Sequence, residues 1–181
     1  IFCELKESRW VPKGLEFDLH TRVVQGEECP WEEVTTVFWR GPRDPDAPAK
    51  SPGKKPEEPV EERTLLKDEA WDLAGDAGRR YASISGDRNP IHLWPITARL
   101  LGFKRPIIHG MWTLARCVAA LEDHCSQESF GVDIEFKRPV FLPSQVRFRA
   151  WSEGELRPFE LSRTKDGKPY LSGCITPIGD S

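Results

Sequence analysis

Between Met111 and Leu121 only Thr113 and Arg116 are polar, and from Val132 onward apolar residues alternate with polar ones instead of recurring every third or fourth position. A helix that is apolar almost all round has to be enclosed, and strict alternation is the signature of a half-buried strand. One enclosed helix followed by several antiparallel strands predicts an α+β domain in which a sheet wraps around the helix. The punctuation agrees. "PITARLLG" (95–102) reads as a short helix with Pro95 in its first turn and Gly102 at its stop. "KDGK" (165–168) reads as a tight hairpin, with Asp-Gly supplying the turn. Residues 68–83 read as helical turns interrupted by Gly75 and Gly78.

From Arg40 to Glu62 the chain reads "RGPRDPDAPAKSPGKKPEEPVEE", rich in Pro and charge and almost without large apolar residues. Such a segment buries too little to offset its ordering entropy and is expected to be a linker. The predicted organisation is therefore a front piece over 1–40, a linker over 41–62 and a main domain over 63–181. Front and back also align without a gap, "CELKESRWVPKGLEF" (3–17) on "IEFKRPVFLPSQVRF" (134–148), at a constant offset of 131, with Glu4, Lys6, Pro12 and Phe17 matched by Glu135, Lys137, Pro143 and Phe148. The period is a whole domain rather than a solenoid repeat. It predicts a duplication in which the front piece carries the last strands of a first domain. The first residue is Ile1 and the only methionine is Met111, so a chain continuing upstream is expected.

Lys and Arg number 26 against 29 Asp and Glu, which gives no basic excess for binding nucleic acid. The five cysteines include no CxxC pair, as expected of reduced thiols in a cytoplasmic protein. Apolar runs such as Val140–Leu142 are far too short to span a bilayer.

The chemistry concentrates in two stretches. "SGDRNPIH" (85–92) is built of turn formers, and Pro90 holds Asn89 extended. A loop needs no terminal histidine, yet Asp87 and His92 flank the stiffened turn. A carboxylate beside an imidazole is an arrangement for holding water and moving protons near neutral pH. In "RPIIHGMW" (105–112), His109 and Gly110 stand where the apolar helix starts. Unpaired N–H groups and the positive end of the helix dipole could stabilise an oxyanion there, with Gly110 allowing close approach. The residues alone leave both bland readings open: a turn for the first stretch, and a glycine kept for helix packing in the second.

Residues 81–121, "YASISGDRNPIHLWPITARLLGFKRPIIHGMWTLARCVAAL", closely resemble the MaoC-like dehydratases, the (R)-specific enoyl-CoA hydratase group. The shared pattern is Tyr, then Ser-Gly-Asp-x-Asn-Pro-x-His, then Gly-Phe-x-x-Pro-Ile-x-His-Gly-Met. The likeness extends over about 63–178, and with the duplication it resembles the double hot-dog members, whose motif-bearing half is the C-terminal one. The resemblance implies a hot-dog fold and reversible syn hydration of trans-2-enoyl thioesters to (R)-3-hydroxyacyl thioesters. Asp87 and His92 would hold the catalytic water, and Gly110 N–H would bind the thioester oxygen. Asn89 and His109 would support them. It implies no cofactor and no metal, an acyl-CoA or acyl carrier protein thioester as substrate, and assembly as a dimer or higher oligomer. Many single-domain members carry Ser six residues after the His of His-Gly-Met, in support of the acid. This chain has Ala115 there, with Thr113 the nearby hydroxyl.

Trp94 and Trp112 either line an acyl pocket or pack. Lys104, Arg105, Lys137 and Arg138 either meet the phosphates of coenzyme A or are simply solvated. Two other activities fit a hot-dog chain: an acyl-CoA thioesterase, against which the Asp–His loop speaks, and a non-catalytic acyl-thioester-binding half, toward which only Ala115 points.

Overall fold

Along residues 144–152 Val146, Phe148 and Ala150 are fully buried while Arg147 and Arg149 alternate with them, and this strand is the spine of the larger part of the molecule. The structure, a computed structural model, describes residues 1–11, 14–41, 63–125 and 129–178. Two compact units are present, residues 1–58 and 59–181. The segment expected to be a linker lies, from residue 42 to 62, outside the described residues.

The second unit runs β4 (Thr64–Leu73), α1 (Ala77–Ser85), a 3-10 turn (Pro90–His92), α2 (Pro95–Leu100), α3 (Gly110–Ala119), β5 (Phe130–Phe136), β6 (Ser144–Ser152), β7 (Arg157–Arg163) and β8 (Pro169–Pro177). Its five strands form one sheet in the order β4-β6-β7-β8-β5, antiparallel at every pairing. Trp71 stacks on Phe148 with ring centroids 4.7 Å apart, and Phe159, Leu161 and Leu171 complete the buried face. Cys117 of α3 belongs to the same cluster, with Trp112, Leu114 and Val118 packed against it.

Two expectations change. Residues 68–73 are strand, not helix: Trp71 and Leu73 are buried and Glu69 is half-buried on the same face, while Asp68, Ala70 and Asp72 face solvent. The period of two is there, but Leu, Lys, Glu and Ala are helix formers by propensity, and packing overrides propensity. The all-round burial expected of α3 is met on one side only. Thr113 and Cys117 are buried, while Met111, Ala115 and Ala119 are exposed, because the core clusters against one face of the helix.

The first unit is a three-stranded antiparallel sheet, β1 (Phe2–Val11), β2 (Gly14–Gln25) and β3 (Glu28–Trp39), paired in chain order. That connectivity matches the consecutive hairpins β6-β7-β8. The gapless alignment instead sets β1 on β5 and β2 on β6, yet β5 pairs with β8 and not with β6. The two stretches share residue classes but not pairing partners.

Candidate active site

Helix α1 ends at Gly86, whose positive φ of 78° turns the chain while its N–H returns to Ala82 O. The next residues build the loop from their own side chains. Asp87 N–H donates to Ser85 Oγ at 3.2 Å, Asn89 N–H to Asp87 Oδ1 at 3.0 Å, and Ile91 N–H to Asn89 Oδ1 at 3.3 Å. Asn89 thus caps the turn that ends on His92, with Pro90 in its first position. This is how the turn-forming residues aim a side chain.

The His92 ring is buried, and its Nδ1–H donates to Ile107 O at 2.8 Å. A carbonyl only accepts, so the proton sits on Nδ1 and Nε2 carries a lone pair. Burial pushes the His92 pKa below its ordinary value, and the neighbouring His109 adds to that. The Ile107 bond and Asp87 pull the other way without reversing it. The imidazole is therefore held neutral, as a base must be.

Ile107 is held in turn. Its N–H donates to Ile91 O at 3.1 Å, Ile108 N–H donates to Val140 O, and Leu142 N–H donates to Pro106 O. These bonds fix the entry to α3, whose first residue is Gly110 and whose N-cap, His109, makes no side-chain cap. The first N–H groups of the helix are left for a ligand. His92, Gly110 and Thr113 line one cleft of about 320 Å³ with Ile107, Phe136, Lys137, Arg138 and Tyr170. Asp87 stands at the exposed side of the group. Asp87, His92 and His109 each offer an atom within 4.8 Å of the others, a metal-like grouping. His92 Nδ1 and His109 Nε2 are committed as donors to the carbonyls of Ile107 and Asp87, which leaves His92 Nε2 as the open imidazole atom beside the Asp87 carboxylate.

A MaoC like domain matches residues 48–169. The chain belongs to the MaoC-like family. It is 36% identical over 172 residues to 3-hydroxyacyl-thioester dehydratase X of Mycobacterium tuberculosis, covering 94% of this chain and 58% of that protein. Over 175 residues it is 30% identical to peroxisomal multifunctional enzyme type 2 of Drosophila melanogaster, covering 94% of this chain and 28% of that one. The chain thus spans less than two thirds of the length of these relatives. Among solved structures it resembles HtdX from Mycobacterium tuberculosis (TM-score 0.74, 28% identity, 98% of this chain, 68% of that one). The likeness to a MaoC-like dehydratase from Phytophthora capsici (TM-score 0.79, 20% identity, 99% of this chain, 64% of that one) is one of fold. The fold class is α+β hot-dog, as the motif resemblance implied.

In this MaoC-like chain the residues singled out by sequence divide clearly. Asp87, Asn89, His92, His109 and Gly110 come together. Lys137 and Arg138 line the same cleft, although Lys137 pairs with Glu135 at 2.6 Å and Arg138 donates to Pro169 O at 2.7 Å. Trp112 packs against the core instead of lining the cleft. Trp94 is half exposed under the Arg79 guanidinium. Ala115 lies on the exposed side of α3, while Thr113, the nearby hydroxyl, lines the cleft and donates to Gly110 O at 2.6 Å.

Three participants escaped the sequence reading. Ile107 acts through its main chain, which no side-chain type reveals. Tyr81 sets its ring edge against His109, centroids 4.9 Å apart; its place in the motif was visible, its contact was not. Gly78 looked like a helix interruption but sits inside α1, where a Cβ would fall 2.3 Å from His92 O. A glycine tolerated inside a helix despite its entropic cost was the available signal.

Proposed function

We propose that this domain catalyses reversible hydration of trans-2-enoyl thioesters to (R)-3-hydroxyacyl thioesters, as a hydro-lyase of acyl-thioester metabolism. The observation that carries the reading is the His92 ring: Nδ1–H fixed on a main-chain carbonyl, Nε2 free, pKa lowered, beside Asp87 in a cleft that begins at a helix N-terminus. The names of the relatives, a thioester dehydratase and, at 35% identity over 69 residues, the (R)-specific enoyl-CoA hydratase of Aeromonas caviae, support the same chemistry.

In the hydration direction a water held by Asp87 and His92 gives one proton to His92 Nε2 as its oxygen bonds to C3. The C2–C3 π electrons shift toward the thioester, and charge gathers on its oxygen, where Gly110 N–H donates. The Asp87–His92 pair then returns a proton to C2, so that one water is added in all. A single oxyanion donor of this kind is worth about 3 kcal/mol in the transition state. The proton movements are assigned to side chains, and the scheme calls on no cofactor. Lys137 and Arg138, at the cleft, would receive the anionic carrier, coenzyme A or acyl carrier protein. The exposed Ile96, Leu100 and Met111 support assembly into a dimer or higher oligomer. Five free thiols favour a reducing compartment such as the cytoplasm.

The test is crotonyl-CoA hydration followed by loss of the conjugated thioester absorbance, with product chirality read by an (R)-specific dehydrogenase. The (R)-alcohol is expected, with Asp87→Asn and His92→Ala inactive. Full rates in both variants, or release of free thiol instead of hydration, would overturn the reading.

A further inference from the structure

We propose that His109 is a positioning residue that fastens the Asp87 loop to the oxyanion end of α3. The inference rests on the hydration reading for its effect on rate, though not for its effect on the loop. His109 is only 3% exposed, and as the N-cap of α3 it does not use its side chain on the helix. Its Nε2–H instead donates to the main-chain oxygen of Asp87 at 3.0 Å, with Asp87 Oδ2 at 3.7 Å. Its ring stacks on His92 with centroids 3.7 Å apart and planes 25° from parallel, while Tyr81 closes its edge.

Among the described residues, every other hydrogen bond to Asp87 comes from its own loop: Ser85 Oγ accepts from its N–H, and Asn89 N–H donates to its carboxylate. His109 supplies the tie from outside. It is covalently joined to Gly110, so a shift of the acid's loop is transmitted to the proposed oxyanion donor. The stack also lies against the base. One ring therefore touches the acid's backbone and the base's face, and it belongs to the residue joined to the proposed donor.

The chemistry of the ring argues for this role over simple filling. Among the described residues its Nδ1 is buried with no hydrogen-bond partner, and an unsatisfied buried nitrogen destabilises the fold relative to an apolar ring. A position selected for packing alone would be better served by Phe. What Phe cannot supply is the bond to Asp87 O.

Two variants separate the contributions. His109→Phe keeps the stack and loses the bond, and His109→Gln can keep the bond and loses the stack. In His109→Phe we expect unchanged or raised thermal stability and KM for crotonyl-CoA within threefold. Its kcat should be lower by about 10- to 100-fold, the scale of a small misplacement of reacting groups. His109→Gln should recover at least part of that loss. Amide hydrogen exchange over 85–93 should quicken in His109→Phe and stay near the original rate in His109→Gln. A His109→Phe protein with unchanged exchange in that segment would overturn the proposal whatever the substrate. So would a kcat within twofold of the original, or a loss of rate that follows a loss of thermal stability. If the unaltered protein hydrates no enoyl thioester, the hydration reading fails, and the exchange result still decides the role of His109.

Discussion

Both units are antiparallel sheets with strands of similar length, yet they are held in opposite ways. In the first unit Gly14 is the only buried residue among those described. Its strands are laced across the surface by Arg9 to Glu16 and Asp18, by Thr36 to Asp18, and by His20 between Glu4 and Glu32, while Trp10, Trp31 and Trp39 stay about half exposed. In the second unit Val146, Phe148, Ala150 and Leu161 are wholly buried, and two buried imidazoles each donate to a main-chain carbonyl: His92 to Ile107 and His109 to Asp87. In the described part of the first unit, strand pairing and surface ion pairs set the register of the sheet. Fixing an imidazole in one tautomer and one orientation takes a core on which the surrounding backbone can rest.

That contrast can be broken by activity. His92→Ala or Asp87→Asn should lower crotonyl-CoA turnover by about 10²- to 10⁴-fold, the usual weight of a positioned acid or base. Arg9→Ala in the first unit should leave turnover unchanged. Equal losses from both regions would dissolve the division. Stability offers the next largest effect: Phe148→Ala should cost about 3–5 kcal/mol by urea unfolding. Gly78→Ala should be smaller, about 1–3 kcal/mol as an overpacked contact, but should lower turnover because the added methyl presses on His92 O.

Titration sharpens the comparison further. The lowered pKa of His92 keeps the neutral form that the proposed hydration uses as pH falls through the ordinary histidine value of about 6.5, so the acid limb of kcat/KM should lie below that pH. A limb above it would contradict the burial argument. The smallest effect concerns thiols. Burial pushes Cys117 up to about 12, so a thiol reagent at pH 8 should label the exposed Cys3 and Cys29 of the first unit and spare Cys117 until the protein unfolds.

Much of the site was legible because its loop is written in side chains. Asp87, Asn89 and Pro90 are both the turn and the aim of the turn, and Gly102 and Gly167 stop a helix and turn a hairpin with positive φ, as their neighbours predict. Illegible were features set by distant packing. Strand β4 looked helical because its inward residues alternate among good helix formers. Only Phe148 and its neighbours, more than seventy residues away, decide which side of β4 is inside. The exposed face of α3 was hidden because alanine looks the same to composition whether buried or not.

Ile107 holds the His92 ring with a carbonyl and receives the loop that carries His92 with an amide. Because both contacts belong to the peptide backbone, no replacement of its side chain other than proline, which lacks the N–H, deletes either of them. A scan of side-chain substitutions across the domain would therefore leave in place the carbonyl that selects the tautomer. A change to the main chain itself, such as an ester in place of the amide between Ile107 and Ile108, weakens the carbonyl as an acceptor and also removes the Ile108 N–H given to Val140 O; set beside an ester that removes only a neighbouring N–H, it would expose how much the proposed reaction depends on an atom that every amino acid carries.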